Sequence, residues 1–282
     1  MAVAVYQNNS GDWDDADNWS GGSGADGKPA NDDDVLIASG TYDLDTNVTT
    51  GLTGLRVFIG PGYTGSFGTS SAYVDLDGSI VQFRGSGDCY LTGTITTVEI
   101  YQLLAGKQFA LKGNASTAVG ALWILNADGD VDVYGSADLD ELYVYGTSTP
   151  TVTIAASVTG LDTIYMETGD VTTSSSVATA SARQLVVVRG GLLTVDGAAE
   201  LDYVIVGGGG VVAWNSSGKI DELLLIEKDG YFDGRSNQNS GVVIDADILC
   251  PGGTLDLRNG IIGWTLSDHT NKGGRYYEPL GV

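Results

Sequence analysis

The chain has 282 residues and a formal net charge of −23, from 36 acidic against 13 basic residues. A surface this acidic repels phosphate backbones and argues against nucleic-acid binding. With 42% hydrophobic and 17% charged residues the chain is too apolar to be disordered, and no segment approaches the ~18 apolar residues that span a membrane, so no membrane insertion is expected.

Apolar residues come in short Val/Ile/Leu/Tyr runs broken by Gly, Asp, Asn, Ser or Thr, with no sustained helical period, which predicts an all-β chain. The start, Met1 to Asp15, has neither a basic region nor an apolar stretch of signal-peptide type, so no ordinary secretion signal is expected. Residues 1–50 read as a capping and anchoring segment. Within it, residues 6–34 are polar and Gly/Asp-rich, and Trp13 and Trp19 are placed to fold over a first rung. Asp12, Asp14, Asp15 and Asp17 form the densest carboxylate cluster. They supply the oxygen ligands calcium uses, but without the Asp-x-Asp-x-Asp-Gly loop and distal Glu, which leaves a metal site undecided. Arg56–Ile59 and Tyr73–Asp77 look like irregular rungs.

From about residue 95 a repeat becomes clear. Leu139-Asp140-Glu141-Leu142 recurs as Leu161-Asp162-Thr163-Ile164, Leu201-Asp202-Tyr203-Val204 and Ile220-Asp221-Glu222-Leu223, and loosely as Ile244–Ile248. A second strand set is indexed by Val131, Val152, Val171, Leu193, Val212, Phe232 and Leu255, at intervals of 21, 19, 22, 19, 20 and 23 residues. Turn residues at Gly129, Gly169, Gly191, Gly209, Gly230 and Gly252 stand between the paired strands, with Ser148-Thr149-Pro150 replacing glycine once. Alternation inside the strands (Leu255 and Leu257 against Asp256 and Arg258) puts apolar members inward and polar members outward. A leucine-rich repeat is disfavoured because its Asn/Cys ladder is missing. A propeller needs ~40–45 residues per blade, whereas neighbouring ~20-residue coils already resemble one another. The expected fold is one right-handed parallel β-helix (β-solenoid) with ~20-residue rungs over 51–260 and irregular capping segments at both ends. Residues 261–282 leave the repeat as a C-terminal tail or cap, in which Trp264, Tyr276 and Tyr277 are candidates for anchoring or docking on a neighbouring subunit.

Little in the sequence points to chemistry. His269 is the single histidine, set in a polar tail. Gly207–Gly210 lacks the Lys-Ser/Thr and the helix of a phosphate loop, so it reads as a tight turn. Cys89 and Cys250 belong to distant rungs, which predicts no disulfide. No catalytic residues and no cofactor are assigned, although carboxylate pairs on adjacent rungs leave a glycan hydrolase or lyase open. Trp123, Tyr143, Tyr145, Tyr165 and Tyr203 fall at or near the same outward strand position. They predict an aromatic row that serves as a subunit interface or a sugar-stacking surface.

The opening resembles a segment at the start of β-helical structural proteins of tailed-phage virions. The residues carrying the likeness are Gly11-Asp12-Trp13, Asn18-Trp19, the Gly/Ser run through Gly24, Pro29 and Asp33-Asp34-Val35-Leu36-Ile37, about 30 of 282 residues. The resemblance implies a homotrimeric capsid decoration, head-fibre or tail-fibre protein on the virion surface, assembled in the host cytoplasm against major capsid or tail proteins. The alternatives are a tailspike or adhesin that binds or cleaves host surface glycan, and an exported adhesin on the bacterial cell surface.

Overall fold

The computed structural model describes residues 2–45, 51–113, 118–174, 184–237, 247–258, 268–270 and 273–277. They are strands and turns apart from two short 3-10 turns, Ala16–Asn18 and Ala25–Gly27. Where the sequence suggests one domain, contacts divide the chain into two compact units, Met1–Leu139 and Asp140–Val282. In each, the chain alternates between two parallel sheets coil after coil, which is a β-solenoid.

In the first unit, one sheet runs Val3–Tyr6, Asp34–Gly40, Leu55–Tyr63, Gly78–Phe83, Ile95–Ile100, Ala118–Ile124, all paired in parallel. The facing sheet runs Val74–Asp75, Cys89–Thr92, Gln108–Gly113, Asp130–Gly135. Parallel pairing therefore begins at Val3–Tyr6 and continues through Asp34–Gly40, inside the segment expected to be a cap. Val35, Val57, Val81, Val98 and Leu122 stand in register and are at most 1% exposed. Their separations run from 17 residues (Val81 to Val98) to 24 (Val98 to Leu122), so loops absorb the length changes while the column stays aligned.

The second unit has the same plan with a cleaner repeat. Leu142, Ile164, Val186, Val204, Leu224 and Ile248 form one buried column. Val152, Val171, Leu193, Val212, Phe232 and Leu255 form the facing one, as the period indexed them. Each such side chain removes its apolar area from water, worth roughly 1.5–3 kcal/mol per residue, and the contacts are available only because the next coil supplies the other half. Before the second-sheet strands that follow a glycine, that glycine is sterically required; Thr151–Ile154 follows Pro150 instead. A Cβ at Gly191, Gly210, Gly230 or Gly253 would run into the carbonyl oxygen of Gly169, Val188, Val206 or Glu227. The ladder thus uses Gly210 and Gly253, one residue beyond Gly209 and Gly252, which take φ of +89° and +111° to make the turn.

Two expectations change here. The ladder does not stop at residue 260: Asp268–Thr270 pairs with Asp247–Leu249, and Arg275–Tyr277 with Thr254–Asp256, both in parallel. In addition, Ile220–Ile226 carries one extra residue opposite Leu201–Val206, because Leu201 pairs with Ile220 but Tyr203 pairs with Leu223. The bulge makes Leu224, not Leu223, the rung partner of Val204. Accordingly, Leu224→Ala should cost about 3 kcal/mol in chemical denaturation and Leu223→Ala less than about 1 kcal/mol. Equal losses would reject the bulge.

The open edge of the first unit is closed locally. Trp19–Ser20 pairs antiparallel with Val3–Tyr6. Trp13 and Trp19 are 3% and 4% exposed, their rings meet edge-on at 4.7 Å, and Trp19 Nε1 donates to Trp13 O at 2.7 Å. Tyr6 lies 5.6 Å from Trp19, and Phe67 lies 6.3 Å from Trp13. Buried Asn18 fastens the loop around them. Its Oδ1 accepts from Asn9 N and Ser10 N, and its Nδ2 donates to Ser10 Oγ and Asp12 O.

Candidate interaction surface

Strand periodicity that fills the core on one face also decides what the other face shows. On the first sheet of the second unit the neighbours on the other face from the buried column are Tyr143, Tyr165, Val187, Ile205, Leu225 and Leu249, all in register; Val187 is itself buried and the rest are half-buried. Two residues earlier on the same face stand Leu185, Tyr203 and Leu223. This parallel sheet is therefore apolar on both faces over several rungs, the pattern of sheets covered on both sides. Charges flank the stripe: Tyr165 Oη donates to Glu167 Oε1 at 3.1 Å, Arg189 pairs with Glu227, and Tyr143 Oη donates to Glu141 Oε2 at 3.1 Å. An apolar centre inside a polar rim is the anatomy of a protein interface.

The expected aromatic row resolves into parts. Tyr143 and Tyr165 are ladder neighbours, and Tyr145 joins them, stacked with Tyr143 at 6.1 Å and tilted against Tyr165 at 5.2 Å. Partial burial raises the hydroxyl pKa of all three, helped at Tyr143 and Tyr165 by the glutamates their hydroxyls meet. Tyr203 is not in their column; its partners are Leu185 and Leu223. Trp123 lies in the first unit in register with Glu99, whose carboxylate accepts from Gln82 Nε2 at 2.7 Å. Three tyrosines thus begin the stripe and aliphatic side chains continue it. Val187, Ile205, Leu225 and Leu249 carry no aromatic signal, and only the parity of the repeat assigns them to this face.

At the other flank of the same unit, Asp233-Gly234-Arg235 and Asp256-Leu257-Arg258 occupy successive coils, with Asp233 and Asp256 in register. Each arginine grips its own aspartate through Nε and Nη2, at 2.9 and 2.7 Å in both pairs. Tyr231 Oη donates to Asp256 Oδ2 at 2.9 Å, and the Arg258 guanidinium lies 4.3 Å from the Tyr277 ring centroid. Asp256 is 1% exposed, so the polar member expected outside is buried. Hydrogen bonding from Arg258 holds its carboxyl down at about 2 against the upward pull of burial. Asp33 plays the same part near the cap. Burial pulls its carboxyl up, but donors from Ser23 N, Ala2 N, Ser23 Oγ and Ala30 N outweigh it and hold it at about 2.

Of the tail residues, Tyr276 pairs with Leu255 and Tyr277 with Asp256, so both extend a coil ladder; Trp264 lies outside the described residues. The acidic loop spends carboxylates on its own backbone: Asp12 Oδ1 accepts from Asp14 N and Asp15 Oδ1 from Asp17 N. Among the described residues no group of three His, Cys, Asp or Glu side chains is placed to hold a metal ion. Cys89 and Cys250 are buried free thiols, and no helix among the described residues is long and apolar enough to cross a membrane. No family model, curated protein or solved structure matches the chain, so the functional reading rests on this geometry and on the opening segment.

Proposed function

We propose that this chain is a self-associating structural protein, a rigid β-solenoid component of a phage particle. In this reading it forms a homotrimer on the virion surface and docks on capsid or tail proteins. The observation that carries self-association is the outward apolar stripe from Tyr143 through Leu249 on a parallel sheet, in a chain of net charge −23. Elsewhere, copies repel one another. A second copy supplies the same apolar surface, and its matching rung spacing lets side chains interlock along the stripe. The opening segment supports the phage assignment by resemblance, and its Trp13, Asn18, Trp19 and Asp33 build the cap that a stacked solenoid requires. Such a role asks for stiffness and complementary surfaces, with no reacting group.

Sedimentation equilibrium at micromolar concentration tests the assembly. The wild type should sediment at three times the chain mass of 29.2 kDa. Ile205→Lys combined with Leu225→Lys should give a folded monomer, because the added charges sit where the copies meet. Raising salt should tighten the wild-type assembly by screening the acidic surfaces. A wild type that stays monomeric at all concentrations defeats the proposal.

A further inference from the structure

A different surface in the first unit has the make-up of a small ligand site. Ser71, Tyr73, Thr92, Lys112 and Gly113 line a hollow of about 260 Å³. That is just below the ~300–1,000 Å³ of pockets for drug-sized molecules, and it suits a single sugar ring. Tyr73 is held in place by Tyr90 and Tyr134, whose rings meet it edge-on at 5.6 and 6.2 Å. Lys112 and Tyr134 are ladder partners, so the regular coil fixes both.

Two polar groups here lack a polar partner. The Tyr73 hydroxyl is shielded from water and, like Thr173 Oγ1 and Trp214 Nε1 elsewhere, has no hydrogen-bond partner among the described residues, a condition uncommon for buried polar atoms. The Lys112 ammonium stands 5.3 Å from the Tyr73 ring centroid, and among the described residues it makes no ion pair, although the chain carries 36 acidic residues. A cation left unneutralised on so acidic a molecule, beside an aromatic ring and the Ser71 and Thr92 side chains, matches a ligand with one carboxylate, several hydroxyls and an apolar ring face. A bare phosphate or acetate would leave the tyrosine unused, and a neutral sugar would leave the lysine unused.

We infer that this hollow binds the hexuronic acid unit of an acidic saccharide. Lys112 pairs with the ligand's carboxylate, the Tyr73 ring packs on its C–H face, and the Tyr73 hydroxyl donates to a ring oxygen once the ligand draws Lys112 aside. The site requires neither self-association nor the phage assignment, so it stands or falls separately from them.

Calorimetric titration of the full chain with sodium glucuronate, at low salt, is the test, with glucose and acetate as controls. Glucuronate is expected to bind with a millimolar dissociation constant, and glucose and acetate about tenfold more weakly or not at all. Lys112→Gln should cost about tenfold in glucuronate affinity with an unchanged melting temperature, since the exposed Lys112 makes no ion pair within the described chain. Tyr73→Phe should raise the melting temperature, by deleting an unsatisfied hydroxyl, while weakening glucuronate severalfold. Acetate binding as tightly as glucuronate would reduce the hollow to an unspecific anion site and overturn the inference. Undiminished affinity in Lys112→Gln, or no heat with concentrated glucuronate, would overturn it as well.

Discussion

Trp19→Ala is expected to destabilise the first unit by about 3–5 kcal/mol, the usual cost of emptying a buried tryptophan site. Trp19 is 4% exposed, and its loss removes the edge contact with Trp13, the contact with Tyr6 and the donor to Trp13 O. Trp19→Phe keeps part of the ring packing and loses the donor, so about 1–2 kcal/mol is expected. A solenoid transmits stability between neighbouring coils, and the effect should therefore be graded along the chain. Hydrogen exchange should quicken most in Val3–Tyr6 and Asp34–Gly40 and least in the second unit's Val211–Trp214. Uniform exchange changes across both units, or a loss under about 1 kcal/mol, would show that the tryptophan pair does not seal the edge.

The repeat was legible because Val/Leu/Ile columns recur at a nearly constant spacing and alternate with polar residues, and a period of two leaves few ways to place them. Even the displacement of Tyr203 was visible: it stands two residues after Leu201, where Glu141 and Thr163 stand in the other copies, while Ile205 takes the Tyr143 position. What escaped depends on pairing. The extra residue in Ile220–Ile226 changes neither composition nor apparent period, and only its partner strand shows that Leu224 has taken the inward place. Asp33, Asn18 and Asp256 were invisible as core residues because polarity predicts exposure. Each is buried because donors from residues distant in sequence, or from one arginine, replace water. The apolar alternation of Val35 and Ile37 marks a strand within Asp34–Gly40, but its place in the coil ladder shows only in its pairing with Val3–Tyr6 and Leu55–Tyr63.

Those buried carboxylates make acid the condition under which the fold should weaken. Asp33 and Asp256 both titrate near 2 in the folded chain, below the ordinary 3.8 of an aspartate. A group with a lowered folded pKa contributes stability that is fully present above its unfolded value and is lost as pH falls through the folded one. The urea midpoint should therefore be flat in this respect above about pH 5 and fall between roughly pH 4 and pH 2. Arg258→Ala separates the Asp256 share. It leaves a carboxylate that is 1% exposed with Tyr231, the backbone N–H of residue 258 and Arg235 at 3.8 Å as remaining partners, so about 3 kcal/mol should be lost at pH 7. With its main partner gone, the Asp256 carboxyl should rise back toward or above the ordinary range, and the acid slope should shrink because folded and unfolded chains then bind protons alike. Asp256→Asn should cost less than Arg258→Ala, since the arginine left behind is 44% exposed and returns to water. An order reversed between these two variants would show that the Asp256 carboxylate stabilises the fold through partners other than Arg258, Tyr231 Oη first among them.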